Sequence, residues 1–181
     1  MKFYESGDNR KPVIFLFPGT CCQYSSFDHV LDGLHSYFYT VTVSYDGFDS
    51  NEKTEFYSME DECEKIEQEI RTKYGGRIKA AYGCSLGGSF VSLLIQRKRI
   101  HIDHGIIGSS DMDEAGNLVA KIQASMVVPF MYKMIHTGAL PKFMQKKLNK
   151  TDGAKKELYN GFLNMFGIGK GGSPWITKQS I

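Results

Sequence analysis

The chain lacks a disulfide framework, a membrane-length apolar run and any marked excess of one charge, and each absence narrows what it can do. Its four cysteines, Cys21, Cys22, Cys63 and Cys84, include an adjacent pair and show no Cys-x-x-Cys spacing. That pattern argues against both a disulfide scaffold and a structural zinc site. Reduced thiols in a cytoplasmic protein are the simplest reading. No apolar run reaches the roughly 18 residues that a membrane span needs, so stable membrane insertion is not expected. The opening Met1-Lys2-Phe3-Tyr4-Glu5-Ser6-Gly7-Asp8 turns polar at once, unlike a secretory signal. A net charge of +2 gives no reason to expect a nucleic-acid partner. Repeats and low-complexity segments are absent too, and no residue set calls for a metal or another cofactor.

What is present points to one ordinary globular core. A chain of 181 residues that is 41% hydrophobic and 23% charged can bury one good core but not two comfortable domains. The near-zero charge hides an asymmetry. Up to Asp111 there are 12 Lys+Arg against 16 Asp+Glu, a net of −4, and from Met112 onward 10 against 4, a net of +6. Six of the eight methionines lie beyond Ser110. The expectation is a compact core over residues 1–111 followed by a basic, Met-rich helical region over 112–181, within one structural unit.

The hydrophobic pattern of the first region alternates between strand and helix. Val13-Ile14-Phe15-Leu16-Phe17 is a continuous apolar run stopped by Pro18-Gly19, as in a strand buried on both faces. Ser25-Ser26-Phe27-Asp28 can cap a helix through Val30, Leu31 and Leu34. Phe38 to Tyr45 is rich in β-branched and aromatic residues, and its alternation sets Val41, Val43 and Tyr45 against Thr40, Thr42 and Ser44. Ser58 opens a helix with Cys63, Ile66 and Ile70 on one face, closing at Gly75-Gly76. A strand from Ile78, a helix from Leu86 to Arg99 and a strand from His101 to Ile107 complete the series. Strands separated by helices, without hairpin signals, predict an α/β fold with a mostly parallel sheet and helices on both faces. From Asp113 the pattern is helical, broken into short helices by Pro129, Pro141 and Gly153, with a loop from Gly171.

Function in such sheets gathers at the carboxyl ends of the strands, and one of those ends carries Gly83-Cys84-Ser85-Leu86-Gly87. Gly-x-Ser-x-Gly alone is a weak motif. Between a strand and a helix it is the pattern of a nucleophile elbow, where a strained turn lifts the serine hydroxyl above the sheet. With this context the sequence resembles the α/β-hydrolase superfamily of the lipase, esterase and peptidase type. Phe17-Pro18-Gly19-Thr20 resembles the family's His-Gly loop, with proline in the histidine position. The resemblance covers residues 12–111 most strongly, and the helices that follow resemble the family's lid.

The resemblance implies Ser85 as the nucleophile, and backbone N–H groups of Thr20 and Leu86, beside Gly19, as the oxyanion hole. It also calls for an acid and a histidine later in the chain, and these are the weak point. Asp111 follows a strand on the correct side, but it can equally cap the next helix, and Asp113 competes with it. His136 is the candidate base if the Met-rich helices fold over the site. His29, His35, His101 and His104 read as structural or surface residues, and Asp46 as a turn residue or cap. The family's last strands, with their acid and histidine, have no counterpart here, so the sheet is expected to leave one edge unpaired and apolar, a template for a homo-oligomer. The resemblance thus implies a serine hydrolase acting on a small-molecule ester or related acyl substrate. The rival is a catalytically silent or truncated binding protein of the same fold, and an acyltransferase using the same serine is a third possibility.

Overall fold

The computed structural model describes residues 1–110, 117–165, 168, 172, 173 and 176. Backbone contacts divide the chain into two compact units, Met1–Asp113 and Glu114–Ile181.

The first unit is built on one sheet. Its strands are β1 (Lys2–Ser6), β2 (Val13–Phe17), β3 (Tyr39–Ser44), β4 (Arg77–Cys84) and β5 (His101–Gly108), in the order β1-β3-β2-β4-β5. The last four run parallel. β1 is the strand that the hydrophobic pattern did not reveal, and it pairs antiparallel with β3 from Lys2↔Ser44 to Ser6↔Thr40. Apart from Phe3, which packs on the core beside Phe15, its residues are polar, as suits an edge strand whose side chains find partners elsewhere. Tyr4 Oη donates to Asp49 at 2.6 Å and its ring stacks on Tyr24, while Glu5 accepts from the hydroxyls of Tyr39 and Tyr74 and pairs with Lys73.

Helices cover both faces. α1 (Asp28–His35) lies over Ile14, Leu16 and Ala80, a small apolar cluster completed by Phe27, Leu31 and Leu34. The Ser25-Ser26 cap expected from the sequence does not form. A 3-10 turn over Tyr24–Phe27 leads into the helix instead, with no side-chain cap bond. On the other face, α2 (Met59–Tyr74) and α3 (Leu86–Arg97) close the larger core of Phe15, Phe17, Val43, Ile66, Phe90 and Leu94. α2 starts where Ser58 Oγ accepts the Asp61 N–H at 3.1 Å, and it ends at Gly75, whose φ of 63° needs a residue without a Cβ. α3 stops at Arg97, two residues earlier than its pattern suggested, because Lys98 turns left-handed. Burial on both faces also overrides the alternation in β3, since Thr40, Thr42 and Ser44 are as buried as Val41 and Val43. Thr40 repays its desolvation through Ser6 and His35 at 2.7 and 3.1 Å, a contact that also gives His35 its role as a pin.

β5 ends the sheet order and pairs only with β4 among the described residues. Ile106 and Ile107 on it are 48% and 44% exposed.

The second unit contains α4 (Asn117–Thr137), α5 (Lys142–Asn149) and α6 (Ala154–Met165). Pro129 was expected to break α4, yet the helix runs through it, a continuation that gives up one backbone hydrogen bond. Pro141 and Gly153, by contrast, do mark the starts of α5 and α6. Met134, Ile135, Ile168 and Ile176 are buried, and the Ser173 N–H closes on Ile135 O at 2.8 Å. Among the described residues no helix is long and apolar enough to cross a membrane.

Candidate active site

The site grows out of the junction between β4 and α3. Ser85 sits there with φ 54° and ψ −121°, a conformation that costs a non-glycine residue roughly 1–3 kcal/mol. Its neighbours hold it in place. The Ser85 N–H donates to Gly108 O at 2.9 Å, and the Gly88 N–H returns to Ser85 O at 2.9 Å as α3 begins. The side chain is exposed and caps nothing. A hydroxyl presented this way is free to meet a substrate.

Two glycines make the turn possible. A Cβ on Gly83 would lie 2.6 Å from the Gly88 nitrogen and closer still to the Gly87 carbonyl. On Gly87 it would lie 2.6 Å from the Phe17 carbonyl carbon and 2.9 Å from Pro18 O. The first glycine lets strand and helix fold against each other. The second lets the start of α3 sit directly on the end of β2, and so brings the Pro18-Gly19-Thr20 loop beside the serine.

That loop is close enough to take part in the chemistry. A Cβ placed on Gly19 would come 3.5 Å from both Ser85 Cβ and Cys84 O. Tyr45 holds the loop from below, its buried hydroxyl donating to Pro18 O at 3.2 Å, and the Cys22 N–H closes a turn onto Gly19 O at 3.1 Å. Burial pushes the Tyr45 phenol well above its ordinary value, so it stays a neutral donor. Leu86 is the first residue of α3, so its N–H has no partner inside the helix.

Two thiols nearby, Cys21 and Cys22, are unsuited to act as nucleophiles. Burial pushes Cys21 up to about 12 and Cys22 up to about 11, and a buried, protonated thiol is unreactive. Cys63, in the core, is likewise pushed up to about 12 by burial. None of the four cysteines is joined in a disulfide. Among the described residues no cluster of His, Cys, Asp or Glu is suited to a metal ion.

Ser85, Leu86, Gly19 and Thr20 therefore gather at one end of the sheet. Asp111, the candidate acid, lies outside the described residues. Its neighbour Ser110 is in place, with Oγ 3.0 Å from Ser89 Oγ on the first turn of α3, and a Cβ on Gly88 would come within 2.5 Å of it. His136 belongs to the second unit, where its ring lies 5.0 Å from that of Tyr132 and its buried Nδ1 has no hydrogen-bond partner among the described residues. Ser85 Oγ has no hydrogen-bond partner among the described residues.

Asp46, at the end of β3, is a structural pin. Its carboxylate sits between the Met1 amino group and Lys65, and its N–H donates to buried Glu62 at 3.0 Å. Sequence reasoning missed Tyr45 and the Ser89–Ser110 pair, which support the site without belonging to its motif. The one signal for Tyr45 was its place at the end of a central strand.

No protein-family model matches the chain, and no curated protein matches it significantly. Solved structures do match. A protein assigned to the α/β-hydrolase family, from Desulfitobacterium hafniense, superposes with a TM-score of 0.72 at 15% identity over 99% of this chain and 68% of its own. A carboxylesterase of the ammonia-oxidizing thaumarchaeon Nitrososphaera gargenis gives 0.68 at 15% identity, over 96% and 64%. The carboxylesterase CesB of Bacillus subtilis gives 0.59 at 14% identity, over 99% and 59%. The chain thus spans 59–68% of the length of these structures. Identities this low speak for the fold and for nothing finer.

Proposed function

The chain has the α/β-hydrolase fold, and on it we propose a serine hydrolase that cleaves a carboxylic ester or a related acyl bond through an acyl-enzyme on Ser85. The observation that carries this reading is the strained, exposed Ser85 set against the Gly19 loop. Strain of this kind persists only where the surrounding structure enforces it, and a serine serving only as a helix cap would need none of it. The names of the structural neighbours, carboxylesterases among them, agree with a small-molecule ester substrate.

In the proposed reaction Ser85 Oγ attacks the acyl carbonyl carbon while its proton passes to a general base. The Thr20 and Leu86 N–H groups receive the oxyanion, each such donor being worth about 2.7–4 kcal/mol of barrier. Collapse breaks the bond to the leaving alcohol, which takes up the proton. Water then attacks the acyl-serine, the base accepts its proton, and the acid product leaves with Ser85 restored. His136 is proposed as the base, Asp111 as its acidic partner and residues 112–181 as the lid. Cysteines without disulfides suit a reducing, cytoplasmic setting.

The second reading is a silent protein of the same fold that binds without turning over. The lack of a described partner for Ser85 Oγ favours it, because an unassisted serine hydroxyl is a poor nucleophile. Acyl transfer to an alcohol in place of water would use the same first half-reaction. Hydrolysis of p-nitrophenyl acetate and butyrate by the chain and by its Ser85→Ala variant separates an enzyme that acylates Ser85 from the silent protein. A burst of nitrophenol equal to the protein concentration, abolished in the variant, supports the enzyme. Identical slow rates for both proteins support the silent reading.

A further inference from the structure

The second unit carries a surface that ester hydrolysis does not explain. Between positions 117 and 165 there are eight lysines and no arginine, against Asp152 and Glu157 as the only carboxylates. On α5, Phe143 is 66% exposed and shares its face with Lys146, Lys147 and Lys150, at spacings of three, four and seven residues. None of these lysines forms an ion pair among the described residues. Phe143 stacks on Phe130 of α4 with ring centroids 6.5 Å apart. Phe130 and Val127, one turn apart on α4, are 42% and 53% exposed themselves. α6 repeats the pairing, with Leu158 75% exposed one turn after Lys155.

We infer that this basic, aromatic face of the second unit docks on an anionic lipid bilayer. Three partner chemistries compete for it, and the residues favour one. A second copy would bring its own lysines against these, so like charges would oppose the apolar contact. A nucleic acid would satisfy the lysines but would leave Val127 and Leu158 in water. An anionic bilayer answers both needs, since its headgroups neutralise the lysines while the acyl boundary takes Phe143, Phe130 and Val127. Docking of this kind needs no membrane-spanning helix, and α5 at eight residues is long enough only to lie in the interface. It is also independent of Ser85.

The test is co-sedimentation of the full chain with phosphatidylglycerol–phosphatidylcholine vesicles and with vesicles of phosphatidylcholine alone. Binding is expected to the anionic vesicles only and to fall steeply with salt. The double variant Lys146→Gln/Lys147→Gln is expected to bind about 25-fold more weakly, at roughly five-fold per lysine near an anionic surface. Phe143→Ser should also weaken binding. Lys53→Gln, the same charge change at an exposed site in the first unit, and Ser85→Ala should bind like the unaltered chain. Equal affinity for both vesicle types, binding to neither, or anionic binding untouched by the double lysine change would each overturn the inference. So would a stable dimer that Phe143→Ser dissolves, or displacement of the vesicles by equimolar single-stranded DNA.

Discussion

Replacing Gly87 by alanine tests whether the site depends on the close approach of α3 to the end of β2. The new Cβ would stand 2.6 Å from the Phe17 carbonyl carbon and 2.9 Å from Pro18 O, and heavy atoms essentially never come within 3.0 Å of a Cβ. Both obstacles are backbone, so neither can rotate aside. The Pro18–Thr20 loop must retreat from α3 by on the order of 1 Å, a displacement that costs about 100-fold in rate at a positioned catalytic group. Overpacking of this kind costs about 2 kcal/mol and should lower Tm by roughly 4–8 °C. Gly161→Ala is the matched control. Gly161 lies inside α6 with nothing within 4 Å of its would-be Cβ, so alanine there should stabilise by about 0.5–1 kcal/mol. Thermal melts by circular dichroism, with labelling by a fluorophosphonate, read both quantities. If Gly87→Ala melts like the unaltered chain and labels at the same rate, the packing argument is wrong.

Further predictions follow from other contacts. Ser85→Gly should be more stable than Ser85→Ala by about 1 kcal/mol, the released strain less the entropy of glycine; equal urea midpoints would mean that the elbow stores no strain. Burial alone would raise the pKa of Asp49, but hydrogen bonds from Tyr4, the Asn51 N–H and Ser44 outweigh it and hold the carboxyl below its ordinary value of 3.8. A depressed carboxylate contributes stability that is present above 3.8 and lost as pH falls through the folded-state value. Asp49→Asn should therefore flatten stability against pH below that point, as urea melts from pH 5 downward would register. The exposed edge of β5 is proposed to pair with a second copy, so sedimentation should show association that Ile106→Lys weakens; a monomer at every concentration would rule this out.

How far the sequence could be read depended on how local each cause was. The parallel strands followed from apolar runs bounded by Gly and Pro, and the β4–α3 turn from five consecutive residues, because neighbours along the chain decide both. β1 escaped because Tyr4 and Glu5 are satisfied by Asp49, Tyr39, Tyr74 and Lys73, residues far away in sequence. The same holds for Tyr45, whose contribution is one hydroxyl laid under Pro18. Pro129 misled for the opposite reason, since a local rule yields when surrounding helical turns hold the backbone. Asp111 was legible only as a residue following a strand, and its place falls outside the described residues.

The most direct test of the central claim is intact-mass spectrometry of the chain before and after a fluorophosphonate probe, with Ser85→Ala alongside. The account predicts one stoichiometric adduct that disappears in the variant, which requires an activated Ser85. A folded chain that takes up no probe, or takes it up equally without Ser85, would contradict it.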